Sequence, residues 1–203
     1  MTSDEFAQLR RKKRGALFVI SGPSGVGKGT VCGRVHRRNT DVFLSISATS
    51  RAPRPEDAEG VTYYFKTKEQ FEEMISNREL LEWAVYGGNH YGTPKAPVLA
   101  ALADGHDVIL EIDVQGGMQV REQMPEAVLI FIIPPDVDTL WKRLERRGSE
   151  TEAQIQSRIA CARRELELLP RYDYVVANDV LEDAIVDVES IIRAERLRNR
   201  KID

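Results

Sequence analysis

The chain has 203 residues, 42% of them apolar and 30% charged, with a net charge of −3. That length suits one well-buried core rather than two full domains, and the near-neutral balance gives no general drive toward nucleic acid or an anionic membrane. The two cysteines, Cys32 and Cys161, form no C-x-x-C pair and fall on predicted helices, so neither a disulfide framework nor a zinc site is expected. With no apolar run of membrane-spanning length and no signal-peptide-like apolar core, the expected location is the cytoplasm.

Residues 1–13 read as a basic N-terminal tail, part of a polar stretch that ends in Arg10-Arg11-Lys12-Lys13-Arg14, a solvated terminus rather than a nucleic-acid patch. A short apolar run at 16–20 leads into Gly22-Pro23-Ser24-Gly25-Val26-Gly27-Lys28-Gly29-Thr30, followed by a helical pattern over 28–38. Strand, glycine-rich turn and helix make the context of a phosphate-binding P-loop. The glycines let the backbone curl its N–H groups inward, the helix start adds partial positive charge, and Lys28 brings a mobile full charge. The pattern G-x-x-x-x-G-K-[ST] departs at Gly29, which stands where a hydroxyl is expected, with Thr30 one residue later. A Mg²⁺ ion is therefore expected to be held mainly through water and nucleotide phosphates.

Further strand-like runs at 42–46, 108–112, 128–133 and 174–176 are mostly continuous apolar segments rather than alternating ones, as in strands buried on both faces of a parallel sheet. Helical patterns lie at 94–104, 114–123, 137–147, 152–168 and 181–198, the last with Leu181, Ile185, Val188 and Ile192 on one stripe. The alternation predicts an α/β fold with ligands at the C-terminal strand ends. Two stretches interrupt it. Residues 47–93 combine a proline-rich turn, aromatic β-like pieces, a helical piece at 68–77 and a Gly87-Gly88-Asn89 turn, and read as an inserted β-hairpin module. Residues 143–164 read as a charged helix–turn–helix, with Gly148 as a stop and Ser149 and Glu152 as a capping box. Both suit flaps over the phosphate site.

Several side chains carry chemistry. Arg51 and Arg54 lie three apart in a segment biased to polyproline II, so both should project from one side, where they suit either a phosphate or solvent. Tyr63 and Tyr91 flank the module and read as hydroxyl donors or packing aromatics. Glu82, in an apolar strand, can accept two hydrogen bonds from a guanine edge, which adenine cannot offer, or simply face water. Thr93 before Pro94 is a natural helix cap, or a hydroxyl facing a base. Glu111 and Asp113 end an apolar strand on one side by its period of two, placing a carboxylate beside the P-loop for metal or substrate. A hinge between helices would bring Arg147 and Arg158 over the loop, while Arg143, Arg146, Arg163 and Arg164 read as solvated.

Taken together, GPSGVGKGT, SISATSRAPRPEDAEGVTYYF, LLEWAVYGGNHYGT, VILEIDVQG, FIIPPDVDTLWKRLERRGSETEAQIQSRI and YDYVVANDV resemble the guanylate kinase family over nearly all of residues 14–198. The resemblance implies a P-loop nucleoside monophosphate kinase: a parallel sheet flanked by helices, with an inserted β-rich GMP-binding module and a helical lid. In this chain that means a core of 14–46, 94–136 and 172–203, a GMP module of 47–93 and a lid of 137–171. It implies ATP as co-substrate with Mg²⁺, to which Thr30 or Asp113 are candidate ligands, and GMP or dGMP as acceptor. ATP would be held by Ser24, Gly25, Val26, Gly27, Lys28, Gly29, Thr30, Asn178 and Asp179. Ser47, Glu82 and Thr93 would read guanine, Arg51, Arg54, Tyr63 and Tyr91 would grip the GMP phosphate, and Asp113 would complete the site. Lys28, Arg54, Arg147 and Arg158 would serve the transfer. The competing readings are a kinase for another nucleoside monophosphate and a guanylate-kinase-like module that binds phosphorylated peptides.

Overall fold

Continuously apolar strands have no polar face to leave in water, so both of their faces must be covered. The computed structural model, which describes residues 14–146 and 151–198, shows how. Its strands are β1 (Leu17–Ser21), β2 (Val42–Leu44), β3 (Ala48–Thr49), β4 (Tyr64–Phe65), β5 (Leu80–Tyr86), β6 (Asn89–Pro94), β7 (Asp107–Glu111), β8 (Val128–Ile133) and β9 (Tyr174–Ala177). Its helices are α1 (Lys28–Arg38), α2 (Lys68–Ser76), α3 (Lys95–Ala103), α4 (Val114–Gln123), α5 (Val137–Glu145), α6 (Glu152–Leu166) and α7 (Leu181–Leu197).

Five strands form one sheet in the order β2-β7-β1-β8-β9, with every neighbouring pair parallel. β1 is central and buried along its whole length. Its even residues, Phe18 and Ile20, pack with Val31 and Val35 of α1 and Ile185, Val188 and Ile192 of α7. Its odd residues, Leu17 and Val19, pack with Val98 and Leu102 of α3 and Val114 and Val120 of α4. The expected stripe on α7 is the one that docks. At the opposite end of the sheet from the P-loop, Asp107 accepts from the Ala16 N–H at 2.7 Å and from Arg196 Nε at 2.5 Å, tying α7 to the first strand.

The insertion is larger than a hairpin. β3–β6 form a second, four-stranded sheet in the order β4-β3-β6-β5, in which β3 and β4 run parallel and the other pairs antiparallel. Gly87 and Gly88 turn the β5–β6 hairpin at φ 56° and 79°, which only glycine adopts without strain. Phe71 of α2 seals a small core with Ala48 and Leu80. The edge strand β5 is covered by α4: Gln119 bonds the Trp83 N–H and C=O at 3.1 and 2.9 Å, and Gln123 donates to the Leu81 carbonyl at 2.7 Å. These amides satisfy backbone groups that an edge strand otherwise exposes.

α5 and α6 share their own apolar cluster of Leu140, Leu144, Ile155, Ile159 and Ala162. α6 is capped by Thr151, whose hydroxyl accepts from the Gln154 N–H while the Gln154 side chain accepts from the Thr151 N–H. The capping box is thus Thr151–Gln154, not Ser149–Glu152; Ser149 and Gly148 lie outside the described residues. β7 ends at Glu111, and Asp113 belongs to the helix cap that follows. The two carboxylates therefore do not share one strand face as their spacing suggested. Among the described residues no helix is long and apolar enough to cross a membrane. Ile130, fully buried in β8, offers a direct check on this core: Ile130→Ala is expected to lower stability by about 2–5 kcal/mol, read as a fall in the urea unfolding midpoint with an unchanged slope.

Candidate active site

The loop between β1 and α1 is built from glycine conformations. Gly22, Gly25 and Gly27 have φ of 148°, 87° and 100°, and Gly27 caps α1 in the left-handed region without a side-chain bond. The first N–H groups of α1 have no intrahelical acceptor, which makes this turn an anion seat. Lys28 folds back over the loop, donating to the carbonyls of Gly22 at 2.6 Å and Pro23 at 3.2 Å. Burial lowers its pKa, and Glu111 and then Glu165 work in the other direction. The ammonium is thus partly desolvated among acidic neighbours.

The outer side of the loop is held by residues distant in sequence. The Val26 carbonyl accepts from Asn178 Nδ2 at 2.7 Å and from Arg143 Nη1 at 3.2 Å, while Arg143 Nη2 donates to the Asn178 carbonyl at 2.8 Å. A Cβ on residue 27 would stand 2.5 Å from Asn178 Nδ2, so the amide needs the bare Gly27. Beside this anchor opens a cleft of about 490 Å³, lined by Thr30, Arg143, Arg146 and Asp179 among others. Arg143 was expected to be solvated; instead it bridges two loops. Its signal lay in the helical spacing, since it sits one position before Leu144 and three after Leu140, both buried.

From α6, Arg158 Nη1 donates to Ser24 Oγ at 2.5 Å, which brings that helix onto the P-loop as expected. Glu165, two turns further along the same helix, has its carboxyl pKa raised by burial, with Lys28 opposing the shift. No sequence motif pointed to Glu165; its role comes from packing alone. Arg147 lies outside the described residues.

Gly29 lies against Glu111. A Cβ there would come within 3.1 and 3.3 Å of the two Glu111 carboxylate oxygens. A side chain after the lysine would thus require that carboxylate to give by a few tenths of an ångström. The carboxylate is solvent-accessible but sits in a concave, protein-dense cleft, and this partial burial raises its pKa against the pull of Lys28. Asp113 spends one oxygen on the cap of α4, accepting from the Gly116 N–H at 2.7 Å, and its carbonyl accepts from Ser21 Oγ at 3.2 Å. No group of three or more metal-ligating side chains occurs among the described residues. This donor set of scattered carboxylates and one exposed hydroxyl, Thr30, fits a cation carried on phosphates and water rather than one caged by protein.

In the loop between β3 and β4, Arg51 and the Arg54 backbone are joined through a residue that motif reading passed over. Asp57 Oδ2 accepts from Arg51 Nη2 at 2.8 Å and from the Arg54 N–H at 2.7 Å. The Arg54 N–H, then Arg51, hold its carboxyl below the usual range. Arg51 also lies 5.5 Å from the Tyr63 ring centre, and Tyr63 meets Tyr91 edge-on at 6.0 Å. Arg51, Tyr63 and Tyr91 therefore form one cluster, with the Arg54 side chain exposed beside it. Ser47, half-exposed at the start of this sheet, accepts from the Tyr64 N–H through its carbonyl.

Glu82 does not face water; only 5% of it is exposed. A register shift between Leu80 and Glu82 makes three successive residues of β5 buried, so simple alternation fails there. Thr93 Oγ1 donates to Glu82 Oε1 at 2.6 Å. The cap position of α3 is Pro94, with no side-chain cap, so Thr93 does not cap that helix. Burial pushes the Glu82 carboxyl up to about 7, against the Thr93 bond that favours the ionised form.

A lysine-bearing glycine loop at the end of the central parallel strand, with an inserted sheet and a helix pair beside it, defines a P-loop nucleoside monophosphate kinase fold. Comparison then identifies the family. The guanylate kinase family model matches residues 14–195, and the chain belongs to that family. It is similar to the guanylate kinase of Bacillus subtilis (strain 168), with 48% identity over 192 residues covering 94% of each chain. It is also similar to that of Carboxydothermus hydrogenoformans, with 48% identity over 190 residues covering 94% of this chain and 93% of the relative. The crystal structure of guanylate kinase from Anaplasma phagocytophilum superposes with a TM-score of 0.76 at 32% identity, covering 93% of this chain and 89% of that one.

The Glu82 environment has a consequence for stability. Its pKa rises from 4.5 to about 7 on folding, so the folded state holds the proton more tightly than the unfolded one. Any stability gained this way is complete below 4.5 and is lost as pH climbs to about 7. Glutamine keeps the Thr93 acceptor and never ionises. Glu82→Gln is therefore expected to match the unliganded wild type near pH 4 and to exceed it by up to roughly 3 kcal/mol at pH 8. Urea unfolding at both pH values measures this, and a difference that does not change with pH would remove the carboxyl as its cause.

Proposed function

We propose that this chain transfers the γ-phosphoryl group of ATP to the phosphate of GMP, or of dGMP, giving ADP and the nucleoside diphosphate. The observation that carries the guanine assignment is Glu82: a buried carboxylate on the acceptor side whose hydrogen-bond partner is the Thr93 hydroxyl rather than a cation. Guanine presents adjacent N–H donors that match two carboxylate oxygens, and adenine does not. In this reading residues 47–93 are the acceptor module and residues 137–171 the lid. Ser47, Glu82 and Thr93 read the base, with Asp113 near them.

The acceptor is a phosphate monoester whose second pKa is about 6, so its oxygen is already anionic at neutral pH. No general base is needed. The work is to hold two repelling anions in line and to screen the charge that develops between them. Arg51, Arg54, Tyr63 and Tyr91 hold the acceptor phosphate. On the donor side the loop Ser24–Thr30 receives the ATP phosphates, and Asn178 and Asp179 border the nucleoside. Lys28 would exchange the Gly22 and Pro23 carbonyls for phosphate oxygens, and Arg158 would leave Ser24 for the transferring group, joined by Arg147 as the motif places it. Thr30 and Asp113, with Glu111 through water, are the residues that would hold Mg²⁺. Held there, the ion would offset the negative charge of the phosphates during transfer. Lid closure excludes water, a competing acceptor.

ADP release measured with GMP, AMP, CMP and UMP at equal concentration is expected to be fastest with GMP; faster turnover of AMP would overturn the guanine reading. Lys28→Met is expected to lower kcat by roughly a hundredfold or more while the far-ultraviolet circular dichroism spectrum stays that of the folded wild type. Near-normal turnover in that variant would remove Lys28 from the transfer. Phosphopeptide binding with no ADP formed by the wild type would instead favour an interaction module.

A further inference from the structure

Helix α4 begins with Gly116 and Gly117 close behind its cap, although glycine is among the poorest helix formers and neither residue takes a positive φ. Their reason is contact. A Cβ on Gly117 would stand 2.6 Å from the Tyr172 hydroxyl. A Cβ on Gly116 would stand 2.7 Å from Glu82 Oε2, 3.2 Å from its Cδ and 3.3 Å from its Cγ. The Glu82 carboxyl group therefore rests directly on the bare Cα of Gly116.

The same face of α4 clamps the strand that carries Glu82. Gln119 and Gln123 follow Gly116 at helical spacing and bond the backbone of Trp83 and Leu81, the two chain neighbours of Glu82. β5 thus cannot retreat from α4 without losing three hydrogen bonds. Across the carboxylate, Thr93 holds Oε1 at 2.6 Å. With one oxygen bonded to Thr93 and the other seated on Gly116, the position of the carboxylate is set from both sides.

We propose that Gly116 is a specificity-determining positioning residue: its missing side chain is the seat of Glu82, and the depth of that seat fixes where the base edge is read. The inference rests on the reading of Glu82 as the guanine acceptor. A methyl group at 116 would push the carboxylate outward by about 1 Å to reach ordinary contact distance, a shift large enough to spoil paired hydrogen bonds. The clamped strand leaves the side chain as the part that must move.

The test compares kcat/KM for GMP and for inosine monophosphate, which keeps N1–H but lacks the 2-amino donor, in wild type, Gly116→Ala and Gly33→Ala. Gly33 is a helical glycine of α1 whose Cβ would meet only Arg37 Nη1, at 3.8 Å, and its variant should keep the wild-type preference. Gly116→Ala is expected to raise KM for GMP and cut the preference for GMP by roughly tenfold or more, with KM for ATP within about twofold of wild type. Glu82→Asp is shorter by one methylene, which removes the oxygen at 2.7 Å and leaves the nearest atoms near the 3.2–3.3 Å where Cδ and Cγ now stand, relieving most of the clash with a new Cβ. Adding Gly116→Ala to it is expected to cost less than about twofold further, and this pair serves if the single variant does not fold. A folded Gly116→Ala with the wild-type preference, or an undiminished loss on the Glu82→Asp background, would overturn the proposal. A wild type that did not prefer GMP over inosine monophosphate would instead overturn the guanine reading of Glu82.

Discussion

The Val26 carbonyl is the point on which the P-loop of this protein is hung. A loop that turns its N–H groups inward must turn some carbonyls outward, and a buried carbonyl without a donor is costly. Asn178, from the end of β9, and Arg143, from α5, both donate to it, and Arg143 also holds Asn178 in place. Three chain segments are thereby locked around nine residues of loop. Lys28 completes the arrangement from inside, capping the carbonyls of Gly22 and Pro23. The charge poised to meet phosphate also holds the loop in shape.

The second sheet follows a parallel logic with opposite charge. It is too small to fix a carboxylate by itself, with only Ala48, Phe71 and Leu80 in its core. It borrows rigidity from α4, whose glutamines complete the edge of β5 and whose first turn meets Glu82. α4 also starts directly after β7, the strand next to β1 that presents Glu111 beside the P-loop. One helix therefore ties Glu82 and the second sheet to the strand beside the P-loop.

The helix pair α5 and α6 has a separate apolar core, which lets it act as a unit. Its contacts with the rest of the site are polar where they touch the loop: Arg143 on main-chain carbonyls and Arg158 on Ser24. Such polar contacts, unlike the shared apolar core, can be replaced by water or phosphate oxygens with little loss.

Much of this was legible along the chain. Continuous apolar runs fixed the class of sheet, because strands without a polar face must be covered on both sides. The glycine–lysine loop was legible as a strand–turn–helix, because few other sequences can turn the backbone that way; Arg51, Tyr63 and Tyr91 meet in one cluster and Arg158 reaches Ser24, while the Arg54 side chain expected beside Arg51 stands exposed. Other features depend on atoms far apart in sequence. Alternation could not tell that a register shift buries Glu82, nor that Thr93 serves it instead of capping a helix. The sense of Gly29 emerged only from the Glu111 carboxylate lying across from it, and that of Gly116 from Glu82. Arg143 looked like one solvated arginine among several until the fold set two carbonyls in its reach. Local sequence determines which conformations the backbone can take and which faces must be buried. Which polar group meets which is decided by packing between segments, and only the tertiary structure supplies that.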